Sequence, residues 1–245
     1  WAPGMPLSAK NEIARIQNIL TVRMLMRMEK NVWDTLRTGR YIALDRNGNI
    51  MFEQMFNIRH VRASVDWTDI INAAPLAVLR SLPELFRDSS ATFTGQCVKY
   101  YMNRTTLNRL LENRNPNDIG RGSLSACCQT VTLDWINGQL EAQGLGRIVV
   151  YDNRWIDDND GIHLFIPDGY VIVKGCRPDT TLVGNYYLTK VLNDCLKMGG
   201  NEKGMWYFLK DNCGQMITRQ ITVGAGHNGG PVIEFPEMIC SIQVW

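Results

Sequence analysis

The feature that most constrains the fold is a long amphipathic segment near the start of the sequence, from residue 8 to about residue 37. Its apolar residues recur at spacings of three and four, the pattern of one helix face. They are Ile13, Ile16, Leu20, Met24, Met28, Val32 and Leu36. Ser8 can cap the first turn, and Gly39 can take the left-handed conformation that ends a helix. At 1.5 Å per residue such a helix would be roughly 43 Å long. We therefore expect it to lie along an extended structure.

A β-hairpin is predicted directly after this helix. Residues 41–44 and 50–52 flank the turn sequence Asp45-Arg46-Asn47-Gly48-Asn49. Asn-Gly between apolar segments is the strongest short-range hairpin signal.

The remaining pattern predicts a mixed α/β block followed by strands. The predicted helices cover residues 75–86, 105–112 and 123–142. Pro83 should mark a break or restart in the first of them. The predicted strands cover residues 92–102, 147–151, a pair at 162–166 and 169–174, and two segments at 231–236 and 238–245. Prolines in the last two segments suit sheet edges or bends.

Composition narrows the class of protein. The 245 residues are 45% hydrophobic and 20% charged, enough for one large domain or two small ones. No apolar run approaches the roughly 18 residues of a membrane span. The amino end lacks the features of a secretion signal and an initiator Met, so we expect a processed chain or the ordered part of a longer one. The 26 basic and 24 acidic residues are mixed along the chain, which argues against tight DNA binding.

The seven cysteines form an odd set without paired spacing. Several lie in apolar segments, so we expect reduced thiols that behave as small hydrophobes in a cytosolic product. One disulfide stays open as an alternative, whereas a disulfide framework is excluded. No C-x-x-C is present, which argues against a zinc site.

A cysteine nucleophile would need a nearby base. Cys127 and Cys128 could pair with His163 or His227, but no catalytic signature surrounds them and their neighbours are apolar. We interpret both as buried thiols.

Other apparent motifs have simpler interpretations. The glycine-rich segment 224–231 lacks the Gly-Lys-Ser/Thr of a phosphate loop, so a flexible turn between strands is predicted. In the acidic segment 157–161, the register of an EF-hand loop would place Ile156 and Pro167 at ligand positions, and neither has a carboxylate. We therefore predict a solvated turn. Asn103-Arg104-Thr105 is only a formal glycosylation sequon, and the Met-rich segment 24–28 is a packing surface. No catalytic, cofactor-binding or metal-binding residue is predicted.

Several segments, in this order, resemble those of a known family. They are Gly39-Arg40-Tyr41 after the long helix, Asp66-Trp67 through Met102-Asn103, residues 106–113, Gly144-Leu145-Gly146-Arg147-Ile148-Val149-Val150-Tyr151-Asp152, Ile166-Pro167-Asp168-Gly169, and Glu234-Phe235-Pro236-Glu237 with Ile239-Cys240-Ser241-Ile242-Gln243-Val244. The sequence thereby resembles the phage major capsid protein E family, the lambda-type branch of the Hong Kong 97 capsid fold.

The resemblance implies an α+β fold with a long spine helix, a peripheral (P) domain and an axial (A) domain. Residues 1–65 would form the spine helix and the P-domain hairpin, residues 66–212 the A domain, and residues 213–245 the returning P-domain strands. The family's N-terminal arm and extended loop have no counterpart in this sequence.

The implied function is that of a major capsid protein of a tailed bacteriophage, without enzymatic activity. Copies would assemble into hexamers and pentamers of an icosahedral head around double-stranded DNA, without specific DNA binding. Expected partners are the chain itself, a scaffold or protease, a portal and a decoration protein, with no membrane. The expected location is the virion, after assembly in the host cytoplasm.

Two alternatives stay open at this point: an encapsulin-like nanocompartment shell protein of the same fold, and a cysteine hydrolase. Five tryptophans are candidates either for obligate interfaces, which are large and apolar, or for the core of the monomer. They are Trp33, Trp67, Trp155, Trp206 and Trp245.

Overall fold

A computed structural model describes residues 7–44, 47–115, 118, 131–157, 161–189, 205–211 and 221–245. The chain divides into two compact units. One comprises the described parts of Trp1–Val32 and Tyr186–Val232, and the other those of Trp33–Asn185 and Ile233–Trp245. The division into spine, P and A segments at residues 65 and 212 stays a prediction.

The long N-terminal helix is confirmed. The helices are α1 (Leu7–Thr38), α2 (Pro75–Leu85), α3 (Arg104–Glu112) and α4 (Leu133–Ala142). Gly39 ends α1 with φ +68°, and its amide donates to the Thr35 carbonyl at 2.8 Å. A Cβ at this position would lie 2.8 Å from the Phe56 carbonyl oxygen, so the conformation and the close approach both require glycine.

Two helix predictions need correction. α2 does not break at Pro83 but continues to Leu85, because a missing amide in the last turn removes little of the helix. The fourth helix does not include Val131. Thr132 is extended, and its side chain accepts a hydrogen bond from the Trp135 amide, so the helix begins at Leu133. The predicted portion at residues 123–130 lies outside the described residues.

Strands precede, separate and follow the helices α2, α3 and α4 in the sequence. They are β1 (Arg40–Leu44), β2 (Ile50–Met55), β3 (Arg59–Arg62), β4 (Lys99–Met102), β5 (Arg147–Val150), β6 (Arg154–Ile156), β7 (Ile162–Leu164), β8 (Tyr170–Lys174), β9 (Gly184–Leu188), β10 (Met205–Asp211), β11 (Ile221–His227), β12 (Gly229–Ile233) and β13 (Ile239–Gln243). β1 pairs with β2 in the predicted antiparallel hairpin. β10 pairs with β11, and β9 with β12.

A five-stranded sheet in the order β3-β13-β8-β4-β5 organises the second unit. β13 pairs with β3 in parallel and with β8 antiparallel, while β4 pairs with β8 antiparallel and with β5 in parallel. The predicted pairing of residues 162–166 with 169–174 is therefore wrong, since β7 pairs with β6 instead.

The strand β8 carries the continuous apolar run Val171-Ile172-Val173, which is buried. Such a run favours an interior strand covered on both faces.

The main core of this unit joins one face of the sheet to α2, α3 and α4. Its members come from all of these elements and include Trp67, Leu79, Tyr100, Met102, Leu107, Ile136, Val171, Val173, Cys240 and Ile242. A smaller cluster contains Ile58, Ile233 and Ile239.

Buried polar side chains connect distant segments of this unit. Asp118 accepts hydrogen bonds from the Leu76 and Ala77 amides at 3.0 and 2.7 Å. Ala74, at the N-cap of α2, makes no side-chain cap hydrogen bond. Asp118 therefore caps α2 from more than 40 residues away in sequence.

The expectation of reduced thiols is wrong for two cysteines. Cys97 and Cys176 form a disulfide with a Cα–Cα distance of 6.1 Å. A backbone bridge between Thr92 and Cys176, with hydrogen bonds of 2.7 and 3.0 Å, holds the two segments together beside it. Cys240 is free and buried, as predicted for a small hydrophobe. The same prediction of reduced thiols applies to Cys127, Cys128, Cys195 and Cys213, which lie outside the described residues.

Candidate functional site

The β1–β2 hairpin is the most apolar exposed element in the described part of the chain. Its register pairs Tyr41 with Gln54 and Ile42 with Glu53, and shifts between Ala43 and Leu44. Six large apolar side chains on these two strands are each at least 36% exposed. They are Ile42, Leu44, Ile50, Met51, Phe52 and Met55.

These side chains lie on both faces of the ribbon. Alternation along β2 places Met51 and Met55 on the face of Glu53, which forms an ion pair with Arg40 at 2.5 Å. Phe52 lies on the other face, with its ring centroid 6.2 Å from that of Tyr41. Met51 and Met55 are 73% and 76% exposed. A two-stranded ribbon cannot cover two apolar faces by itself, and contiguous exposed apolar patches mark interaction surfaces.

The middle of α1 also carries exposed apolar residues. Ile13 and Met24, from the predicted stripe, are buried, whereas Ile19, Val22 and Leu25 are exposed at spacings of three. The helix is thus apolar on more of its circumference than the stripe alone suggested.

The tryptophans with described side chains make contacts within the chain. Trp67 is 1% exposed and belongs to the core. Trp33 lies 5.4 Å from Tyr101 and 4.7 Å from Tyr151 between ring centroids. Trp155 stacks on His163, and Trp245 lies against Gly169. The core interpretation therefore holds for Trp67, while the Trp206 side chain lies outside the described residues.

The two histidines considered as bases have other partners. His163 Nε2 lies 2.9 Å from Asp157 Oδ2. The His227 Nε2 atom lies 2.8 Å from the Tyr186 hydroxyl. Burial, followed by the charge of Arg27, lowers the pKa of His227. Cys127 and Cys128 lie outside the described residues, so their interpretation as buried thiols stays a prediction.

The two described ends of the acidic segment, Asp157 and Gly161, are hydrogen-bonded to each other. Asp157 Oδ1 accepts from the Gly161 amide at 2.7 Å, and Oδ2 faces His163. Ile156 belongs to β6 and offers no carboxylate. Among the described residues, no group of three or more His, Cys, Asp or Glu could hold a metal ion. Residues 158–160 lie outside the described residues, so the solvated turn stays a prediction.

The glycine-rich segment is not a flexible turn, and that prediction is wrong. Gly224 and Gly226 lie within β11, and residues 229–231 lie within β12, with Asn228 between the strands. A Cβ on Gly229 would overlap the Tyr187 carbonyl oxygen. The glycine there permits close strand contact and leaves no loop for a phosphate.

The sequon asparagine has a structural role. Asn103 is fully buried and caps α3 by accepting from the Thr106 amide at 2.8 Å. Its amide nitrogen donates to the Ile166 carbonyl at 3.1 Å and to Asp168 Oδ1 at 2.6 Å. Because the Asn103 side chain is buried and makes these hydrogen bonds, it is inaccessible for glycosylation in the folded chain.

We expect the Cys240 thiol to resist alkylation in the folded protein. Burial raises the pKa of Cys240 to about 12, against a smaller opposite effect from Arg59. At mildly alkaline pH the folded thiol is almost entirely protonated, and only the thiolate reacts. Modification by iodoacetamide, followed by mass spectrometry of the Cys240 peptide, should be at least about 100-fold slower than in urea-unfolded protein. Equal rates in the two states would contradict the burial of this side chain.

Comparison with known proteins identifies the fold. The chain aligns over 100% of its length with 72% of a protein provisionally described as the capsid protein of an Escherichia coli prophage, at 14% identity and a TM-score of 0.60. It also aligns over 99% of its length with 68% of a phage-related protein from Bordetella bronchiseptica, at 16% identity and a TM-score of 0.51. Comparisons with protein-family models and with curated proteins find no match.

The chain therefore has an α+β fold of the Hong Kong 97 type, with the long helix and sheets expected from its sequence. This confirms the predicted fold class and a phage capsid-like architecture. Membership of the E family in particular stays a prediction. In the described residues, no helix combines the length and apolar character needed to cross a membrane.

Sequence reasoning located the hairpin but missed its role as a candidate interface. The signal was present as the consecutive apolar residues Ile50-Met51-Phe52, which do not alternate with polar residues as a strand with one solvated face would. Exposure of both hairpin faces became evident only in the folded chain.

Proposed function

We propose that this chain is the major capsid protein of a tailed bacteriophage and has no enzymatic role. The observation that carries the proposal is a capsid-type fold that bears an apolar hairpin exposed on both faces. Burial of apolar surface is the main favourable contribution to stable protein association. We infer that neighbouring copies of the chain cover the hairpin.

Repeated contacts of this kind would build a shell. A hairpin that docks on a different surface of the next copy makes a head-to-tail contact, which closes into a ring when the rotation per subunit closes. Obligate interfaces typically bury about 2,000 Å² or more, so the hairpin would supply one part of a larger contact. Hexamers and pentamers built in this way would form an icosahedral head around double-stranded DNA.

The domain assignment is part of this proposal. Residues 1–65 would provide the spine helix and P-domain hairpin, residues 66–212 the A domain, and residues 213–245 the returning P-domain strands. Scaffold or protease, portal and decoration proteins are the proposed partners in a virion assembled in the host cytoplasm. A formal net charge of +2 fits an inner surface that contacts packaged DNA without holding it tightly.

Assembly of the full-length protein, co-expressed with the scaffold gene of its phage, tests the proposal. Negative-stain microscopy and sedimentation should show closed shells. The double variant Met51→Asp with Met55→Asp should lower the yield of particles at least about tenfold, because two buried charges oppose the contact.

The control is Leu182→Asp, which places one charge at a residue that is 63% exposed outside the hairpin. It should assemble as the wild type does. Normal assembly of the hairpin variant would exclude the hairpin as the interface. Only monomers or amorphous aggregates from the wild type, with scaffold present, would overturn the capsid function. Shells that contain a protein cargo and no nuclease-protected DNA would favour the encapsulin-like alternative.

A further inference from the structure

A cavity of about 390 Å³, open to solvent, lies where the C-terminal end of α1 meets β3, β8 and β13. All of its lining residues belong to the second compact unit. The side chains that give it chemical character are Arg37, His60, Arg62, Tyr170, Ser241 and Gln243. None of the residues that line it carries a carboxylate.

The strand register creates this polar surface. Ser241 pairs with His60, and Gln243 pairs with both Arg62 and Tyr170. Paired residues present their side chains to the same face of a sheet. The alternate residues of β13, Cys240 and Ile242, point to the opposite face and belong to the main core. The face that remains therefore carries a row of polar and basic groups.

Few carboxylates in the described chain neutralise the basic side chains at this cavity. Arg37 is held with its guanidinium 5.1 Å from the centroid of the Tyr170 ring. Its nearest ion-pair contact, to Asp34 Oδ1, is long at 3.5 Å. Among the ion pairs of the described residues, none involves His60 or Arg62.

One donor of a residue that lines the cavity is also unsatisfied. The Nε atom of Arg37 is buried and has no hydrogen-bond partner. Leaving a buried donor of a charged group without an acceptor is unfavourable, and most such groups in folded proteins are paired. Gln243 donates its amide to the Trp245 carbonyl at 3.2 Å, so it can still accept but supplies no anion. The cavity thus has an excess of donors and positive charge.

We propose that this cavity is a binding site for a compact oxyanion, either a carboxylate or a phosphate group. A guanidinium presents paired N–H groups that match two oxygens of such an anion. Arg37 and Arg62 line the cavity from different elements, a helix end and a strand. We expect both to contact the bound anion. The ligand is a free anion or an acidic side chain of a second copy, and the site itself does not depend on the proposed function.

Duplex DNA is a less suitable occupant. Its backbone is recognised by extended sets of basic side chains, whereas this site combines three basic residues in one cavity of a chain with a net charge of +2. A discrete anionic group fits this arrangement better than a continuous row of phosphates.

Calorimetric titration of the full, unassembled chain with inorganic phosphate tests the site, with citrate as a competing carboxylate. We expect saturable binding, competition by citrate, and Kd values about tenfold or more weaker in Arg37→Gln and Arg62→Gln. Arg87→Gln is the matched control, because it removes the same charge from a side chain that is 77% exposed outside the cavity. It should bind as the wild type does.

Arg62 lies on an exposed edge strand, so the Arg62→Gln variant is expected to fold. It therefore keeps the test decisive if Arg37→Gln fails to fold. Absence of saturable phosphate and citrate binding, or equal binding by Arg62→Gln and the wild type, would overturn the proposal. A short DNA duplex that displaces phosphate at lower concentration than citrate would overturn the assignment to a discrete anion. If citrate slows assembly of the wild type but not of Arg62→Gln, the natural source is an acidic side chain of a second copy; assembly unaffected by citrate points to a free anion.

Discussion

Opening the Cys97–Cys176 disulfide is expected to lower the free energy of unfolding by up to about 4 kcal/mol. The bond joins cysteines 79 residues apart, and a cross-link over a long loop restricts the unfolded chain strongly. The backbone bridge between Thr92 and Cys176 should persist in the folded state, so the reduced protein should keep the same fold. Urea unfolding of oxidised and reduced protein, followed by circular dichroism, measures the difference.

The matched variant for this prediction is Cys97→Ser with Cys176→Ser. It should unfold at the midpoint of the reduced wild type and should not respond to reductant. Replacing the free Cys240 would not serve as a control, because its side chain belongs to the core. Identical unfolding midpoints for the oxidised and reduced wild type would contradict the presence of the bond in solution.

Replacing Asp118 by alanine is expected to lower the free energy of unfolding by about 3 kcal/mol. Besides the Leu76 and Ala77 amides, its carboxylate accepts from Asn113 Nδ2 at 2.9 Å. The residue is 2% exposed, so water cannot replace these hydrogen bonds without a local opening. Loss of the carboxylate also removes a negative charge from the positive end of α2.

Two variants separate the contributions to this effect. Asp118→Asn keeps the shape and one acceptor oxygen but removes the charge, and should lose about half as much stability. Asp66→Ala removes an exposed carboxylate that makes none of these hydrogen bonds, and should change stability by less than about 0.5 kcal/mol. A loss below about 1 kcal/mol for Asp118→Ala would show that the long-range cap contributes little.

The candidate site was accessible to sequence reasoning only in part. The Asn-Gly turn and its flanking apolar residues predicted the hairpin, because the signal is local. The oxyanion cavity carries no local signal. His60 and Ser241 are 181 positions apart in sequence, and only the parallel pairing of β3 with β13 brings them together.

The sequence by itself determined the long helix, its termination at Gly39 and the hairpin, because these depend on periodicity and on glycine conformation. The fold class was implied by the resemblance of its segments to a capsid family. Tertiary structure alone decided the interior position of β8, the capping of α2 by Asp118, the Cys97–Cys176 bond and the exposed faces of the hairpin. Each of these depends on contacts between residues far apart in the chain, or on what covers a surface. The period of a single segment shows which of its faces is apolar, but it does not specify the partner of that face.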